Sequence, residues 1–166
     1  SGNDCAAAIA EHISGSQEAF AELMNTEAKQ LGATGTHFVN PHGLHDENHY
    51  TTTYDLYLMF NEALKDQAFL DIISMNSYTA KVTSADGTSY TPTWQATNYY
   101  SAGEATPPDG IHVYGGKTGT TDQAGNCVIL YEKNTAGEPY ISVIMGASDK
   151  PLLYEEMNEL LDAGMK

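Results

Sequence analysis

Apolar residues recur at helical spacing through the first third of the chain and alternate with polar ones later, the period changing near Ser74. Phe20, Leu23, Met24, Ala28 and Leu31 fall on one face of a helix that Ser16 caps and Gly32 ends. Ahead of it, residues 5–13 read as a helix capped by Asp4 and stopped near Gly15. The polar stretch 33–50, with Gly35, Pro41 and Gly43, is expected to be loop. Thr52 and Asp55 have the spacing of a capping box, and Leu56, Met59, Phe60, Ala63 and Leu64 mark one face of the helix behind it. A short fourth helix is expected at about 66–73.

Past Ser74, Tyr78, Ala80 and Val82 alternate with Thr79, Lys81 and Thr83, which is strand spacing. Asp86-Gly87 is a hairpin turn signal, with the chain returning over 88–93. After a Gly/Pro-rich connector at 103–110, strand-like runs follow at 111–120, 126–132 and 140–146, and the break at 134–139 makes a meander of the last two. Asp149 caps a closing helix with Leu153, Met157, Leu160 and Leu161 on one face. Helices, then antiparallel strands, then a helix predict an α+β fold. The length of 166 residues fits one domain, with a helical part at about 1–75 and a sheet part at about 76–166.

Charge removes several classes of function. Acidic residues number 22 against 7 basic ones, a net charge of −15, and every basic residue is Lys. That balance argues against nucleic-acid binding, which relies on Lys and Arg neutralising phosphates, and against docking on an anionic membrane. No apolar run approaches the roughly 20 residues that span a bilayer. The opening Ser1-Gly2-Asn3-Asp4 has the character of mid-protein sequence, so no signal peptide is read from it. Cys5 and Cys127 form no CxxC pair, which leaves one bridge at most; two small buried side chains is the plainer expectation.

Two short motifs carry chemistry: Ser1-Gly2-Asn3 just before the first helix, and Lys117-Thr118-Gly119-Thr120 entering a strand. In this order they resemble the second and third motifs of the penicillin-recognising serine enzymes. The surrounding runs narrow the resemblance. Ser1-Gly2-Asn3-Asp4-Cys5-Ala6-Ala7, Phe38-Val39-Asn40-Pro41-His42-Gly43-Leu44, Thr51-Thr52-Thr53-Tyr54-Asp55-Leu56, Thr97-Asn98, Gly116-Lys117-Thr118-Gly119-Thr120-Thr121 and Ala124-Gly125-Asn126-Cys127 follow one another in family order. They are similar to the serine D-alanyl-D-alanine carboxypeptidases, the low-molecular-weight penicillin-binding proteins of the peptidase S11 family, from residue 1 to about residue 147. One motif departs. The family's Ser-x-x-Lys, which supplies the nucleophile and its base, is absent, since no serine here has Lys three residues later. The chain therefore resembles a C-terminal part of the catalytic domain, expected to be inactive alone.

The resemblance implies a partial penicillin-binding-protein/β-lactamase-like fold, no cofactor and no metal, and D-Ala-D-Ala stem peptides and β-lactams as partners, outside the cytoplasmic membrane. It implies that Ser1 bridges the nucleophile's lysine and the leaving nitrogen, while Asn3 holds the substrate amide and that lysine. Lys117 would place a positive charge in the pocket. Thr118 and Thr120 would offer hydroxyls to the terminal carboxylate, the Thr120 N–H would face the oxyanion, and Gly119 would let substrate lie against the strand. Two other functions stay open. A β-lactamase would need a deacylating carboxylate, for which Glu62 and Glu104 are the candidates, and a non-catalytic module would bind peptidoglycan or a partner.

His37, His42, His45 and His49 crowd one loop with Asp46, which reads either as metal ligands or as the family's loop. Trp94, Tyr99 and Tyr100 either line a groove or pack beside the sheet. Without the first motif and early strands, the helix faces carrying Ile9, Leu23 and Leu56 and a strand edge should stand open. The chain is then expected to dimerise or to pair with an N-terminal segment.

Overall fold

A computed structural model describes residues 2–164. Four helices come first: α1 (Asn3–Ser14), α2 (Gln17–Gln30), α3 (Thr53–Ala63) and α4 (Gln67–Ile73). Ser16 caps α2 by accepting from Ala19 N at 3.1 Å, and Asp66 caps α4 by accepting from Ala68 N at 2.8 Å. α1 begins two residues earlier than expected. Its N-cap is Gly2, which makes no side-chain cap bond, and Asp4 sits in the first turn, where its carboxylate faces the positive end of the helix. Thr52 does cap α3, but Asp55 does not close a box with it. Its Oδ2 accepts from Gly35 N at 2.8 Å and Thr36 Oγ1 at 2.6 Å, so this buried carboxylate ties the 33–50 loop to α3.

The hairpin forms as two short ladders, β1 (Ser77–Thr79) with β4 (Thr93–Gln95) and β2 (Val82–Thr83) with β3 (Ser89–Tyr90). Pro92, which has no N–H to donate, interrupts what the spacing predicts as one strand pair. Gly87 takes φ 85° in the turn, the left-handed conformation expected of Asp-Gly. A short helix, α5 (Tyr99–Ala102), follows within a segment the pattern leaves unassigned.

The main sheet is antiparallel in the order β5 (Ile111–Thr121), β6 (Gly125–Asn134), β7 (Pro139–Ala147), and α6 (Lys150–Ala163) returns over it behind its Asp149 cap. Val128, Leu130 and Ala147 from the strands close against Leu153, Tyr154, Met157 and Leu161 from α6. Leu160, expected on that face, points away and keeps 41% of its surface exposed, because its neighbour Leu161 takes the core position. The α+β class expected from the sequence is the one observed. No described helix is long and apolar enough to cross a membrane.

Outside this core the helices are less covered. Ile9 and Ile13 on α1 are each 58% exposed and Leu23 on α2 is 48% exposed. Leu56, expected to be uncovered with them, is half-buried, sharing a shallow recess with Ile129, Ile144 and Met145. The cysteines also depart from expectation: Cys5 is exposed on the first turn of α1, Cys127 is half-buried at the rim of a cleft, and both are free thiols.

Candidate active site

The direction of β5 is set by two glycines. A methyl group at Gly115 would overlap the Ile73 carbonyl at the end of α4, and one at Gly116 would overlap the Ile129 carbonyl of β6. Bare backbone therefore lets β5 press against both neighbours, and its pairing shifts register between Val113 and Gly115. The strand then emerges straight into Lys117, Thr118, Gly119 and Thr120 at the edge of the sheet.

These four residues form one wall of a cleft of about 510 Å³. Asn3, the first residue of α1, reaches the same cleft, so the structure brings together Asn3, Lys117, Thr118, Gly119 and Thr120. Ser1 lies outside the described residues. Residues outside the two motifs also line the cleft. His42, Gly43 and Leu44 enter from the long loop, where Asn40 Oδ1 accepts from His42 N at 3.2 Å and Gly43 N at 2.7 Å and fixes the turn. Thr97 meets the Thr118 hydroxyl, Oγ1 to Oγ1, at 2.7 Å. Asn126 on β6 is buried opposite Thr120 and accepts from its hydroxyl at 3.3 Å, while donating to Ala147 O at 3.3 Å. Lys150 and Tyr154 come from the first turns of α6. The signal for His42, Thr97 and Asn126 was present, since all three belong to the runs that carry the family resemblance; Lys150 and Tyr154 gave none.

Lys117 is exposed along its side chain, yet the protein packed around its ammonium pulls its pKa down by desolvation, and the ammonium donates to the Thr118 carbonyl. Lys150 adds a second cation to the same cleft, its ammonium 5.5 Å from the centroid of the Tyr99 ring. Two cations, a row of hydroxyls and an edge strand therefore face one cleft.

The three aromatics weighed from sequence separate. Tyr99 and Tyr100 are half-buried, stacking on Tyr154 at 4.5 Å and meeting it edge-on at 5.3 Å, with Tyr99 N donating to the Tyr154 hydroxyl at 2.9 Å. Trp94 stands 53% exposed on the hairpin. The histidine loop folds on itself: His49 Nδ1 accepts from Val39 N at 3.1 Å, and burial lowers its pKa. Among the described residues no group of three His, Cys, Asp or Glu side chains converges on a metal position. Neither Glu62, which pairs with Lys65 at 2.5 Å on the surface of α3, nor Glu104 lines the cleft.

Residues 1–149 match the family described as D-alanyl-D-alanine carboxypeptidase. The chain is 32% identical over 162 residues to the D-alanyl-D-alanine carboxypeptidase DacF of Bacillus subtilis, covering 98% of this chain and 39% of that protein. It is also 32% identical to DacA of Haemophilus influenzae, over 99% of this chain and 38% of that one. The chain thus spans about two fifths of these relatives' length. Among solved structures, DacD of Francisella tularensis superposes with a TM-score of 0.81 at 25% identity, over 99% of this chain and 49% of that chain. The Streptomyces K15 DD-transpeptidase superposes at 0.79 with 26% identity, over 89% of this chain and 54% of that chain.

Proposed function

Since the chain belongs to the D-alanyl-D-alanine carboxypeptidase family, we propose that its cleft receives the D-Ala-D-Ala end of a peptidoglycan stem peptide and forms one side of a serine acyl-transfer site. Gly119 is the observation that carries this reading. Its φ is not positive, and a Cβ there would meet nothing within 4 Å, so neither backbone strain nor packing inside the chain requires glycine. The bare position lies on an edge strand between Thr118 and Thr120, where an extended peptide backbone needs room to approach.

Each neighbour then has a task. Lys117 and Lys150 attract the terminal carboxylate, and the Thr118 and Thr120 hydroxyls hydrogen-bond it. Thr97 and Asn126 orient those two hydroxyls. The Thr120 N–H stabilises the oxyanion, and Asn3 holds the substrate amide. Ser1 relays the proton to the leaving amine. The acyl acceptor is a serine of a Ser-x-x-Lys pair that this sequence does not contain. No metal or organic cofactor enters the scheme. The reaction belongs to the cell envelope, outside the cytoplasmic membrane, where peptidoglycan lies. The exposed faces of α1 and α2 pair either with a second copy or with a segment bearing Ser-x-x-Lys.

By this reading the 166-residue chain alone takes up no covalent β-lactam and hydrolyses no D-Ala-D-Ala peptide. Mass spectrometry after incubation with a penicillin should therefore give an unchanged mass, and a stoichiometric increase overturns the assignment. In a protein that joins this chain to Ser-x-x-Lys, Lys117→Ala should slow acylation about 100- to 1,000-fold, the size of effect seen when a catalytic charge stabiliser is removed. Acylation within threefold of the parent refutes the role. The missing nucleophile also favours a second reading, a non-catalytic module that holds stem peptides in the same cleft.

A further inference from the structure

We infer that the apolar face of the β1–β4/β2–β3 hairpin is a platform for the neutral sugar chain of peptidoglycan, an inference that rests on the proposed function. Register separates the hairpin's two faces. Tyr78 is opposite Trp94, Val82 is opposite Tyr90, and Ala80 N donates to Pro92 O between them at 3.1 Å. By strand alternation these six residues share one face, and none of them is charged. The other face carries hydroxyls that satisfy one another, Thr79 with Thr93 at 2.7 Å and Thr83 with Ser89 at 3.0 Å. The apolar face is left to solvent: Tyr78, Trp94 and Tyr90 keep 55%, 53% and 52% of their surface exposed.

At the base of this face lies an open hollow of about 560 Å³, where the Tyr78 and Trp94 rings run within 11° of parallel. Ile72, Met75 and Ala96 line it beside the two rings, and Ser77 and Gln95 border it. Aromatic faces with a few hydrogen-bonding groups and no charge suit pyranose rings, which offer C–H faces and edge hydroxyls. A net charge of −15 makes an anionic lipid surface or a nucleic acid a poor occupant. A second copy has a larger apolar stripe to meet on α1 and α2.

Position points to the same ligand. β4 runs through Gln95 and Ala96 directly into Thr97, whose hydroxyl meets Thr118 in the cleft. Trp94 and Thr97 are three positions apart, at most about 10 Å of extended chain. A sugar chain lying on the hairpin can thus carry a peptide that reaches the Lys117 wall.

Trp94 is the single tryptophan of the chain, so its fluorescence reports on the platform itself. Titrating the chain with neutral oligomers of N-acetylglucosamine should change Trp94 emission saturably. Tyr78→Ala, and Tyr78→Thr which keeps a good strand former, should each weaken binding about tenfold or more, the loss of roughly one aromatic stacking contact. Thr91→Ala, on the opposite face, should not. Lys117→Ala should leave the glycan titration unchanged while abolishing binding of a sugar-free D-Ala-D-Ala peptide. Loss of the peptide arm alone therefore speaks against the cleft reading, and loss of the glycan arm alone against the platform. No emission change with glycan, or undiminished affinity in both Tyr78 variants, overturns the platform. So does an emission change produced instead by phosphatidylcholine vesicles or by raising protein concentration, which would give the face to a bilayer or to a second copy.

Discussion

In the β6–α6 layer Leu130 and Met157 have no exposed surface, whereas on α1 and α2 Ile9 and Leu23 keep 58% and 48% of theirs. Both regions carry apolar stripes of the same period, and both form the elements that the period predicts. What differs is the partner. The stripe on α6 meets a sheet built from the residues just before it, joined by turns of a few residues. Between α1 and α2 the buried positions are the small ones, Ala10, Ala21 and Ala28, so the helices touch while their larger side chains face outward. An apolar stripe is a demand for a surface, which the sheet meets for α6, whereas Ile9, Ile13 and Leu23 stay exposed.

The largest expected effect tests that contrast directly. Met157→Ala should cost about 2–5 kcal/mol, the transfer energy of the side chain plus the cavity it leaves. Ile9→Ala, on an exposed helix face, should stay within about 0.5 kcal/mol. Urea unfolding of the two variants side by side measures both. Equal losses would mean that the α1 face is covered in solution and that the two halves do not differ.

A smaller effect is expected inside the well-packed half. Glu132 is 1% exposed on the central strand; its Oε1 accepts from Ser142 Oγ at 2.6 Å, and its Oε2 has no hydrogen-bond partner among the described residues. Burial pushes its pKa up to about 7, with the Ser142 bond opposing. The unfolded chain would titrate this group near the usual Glu value of about 4.3, so the folded state holds the proton more tightly. Its contribution is therefore intact below about pH 4 and is lost as pH rises through about 7, where ionising the buried carboxyl costs about 4 kcal/mol. Glu132→Gln keeps an acceptor for Ser142 and never ionises. The Tm of the variant relative to the parent should rise between about pH 5 and about pH 8. A constant difference would show that the carboxyl is solvated in the folded state.

Legibility from sequence follows the same division. Elements with local signals were readable: Ser16, Thr52 and Asp149 all cap the helices that follow them, and β5, β6 and β7 fall within two residues of the expected runs. Where two local signals compete, the structure departs from the expected element. Asp4 looks like a cap because its carboxylate suits one, but the helix starts at Asn3 and uses the charge from inside its first turn. The hairpin is legible from alternation and Asp-Gly, whereas its break comes from the N–H that Pro92 lacks, which alternation does not encode. In the site, the family resemblance already implied that Asn3 and the run from Lys117 to Thr120 share a pocket, and the fold brings them to one cleft. Lys150 and Tyr154 had no signal, because α6 reaches the cleft through the return of the chain over the sheet, a long-range fact that no local pattern encodes.

The smallest expected change in stability accompanies the clearest change in assembly. Leu23 borders an apolar groove of about 410 Å³ with Phe20, Met24, Phe38 and Met59, and Ile9 and Ile13 are exposed on α1. Burying such surface gains about 25 cal/mol per Å², while repulsion between chains of like charge fades beyond about 8 Å at physiological salt. The apolar term should prevail, so the chain is expected to self-associate at tens of micromolar, and more strongly as salt is added. Replacing Ile9 and Leu23 together by Ser should return it to a monomer in sedimentation while changing its unfolding free energy by less than about 1 kcal/mol, because neither side chain is enclosed in the folded chain. Salt separates this from a charge-driven contact, which would weaken as ions screen it. A parent that sediments as a clean monomer at every salt concentration would leave the helical stripe facing water and remove a second copy as its partner.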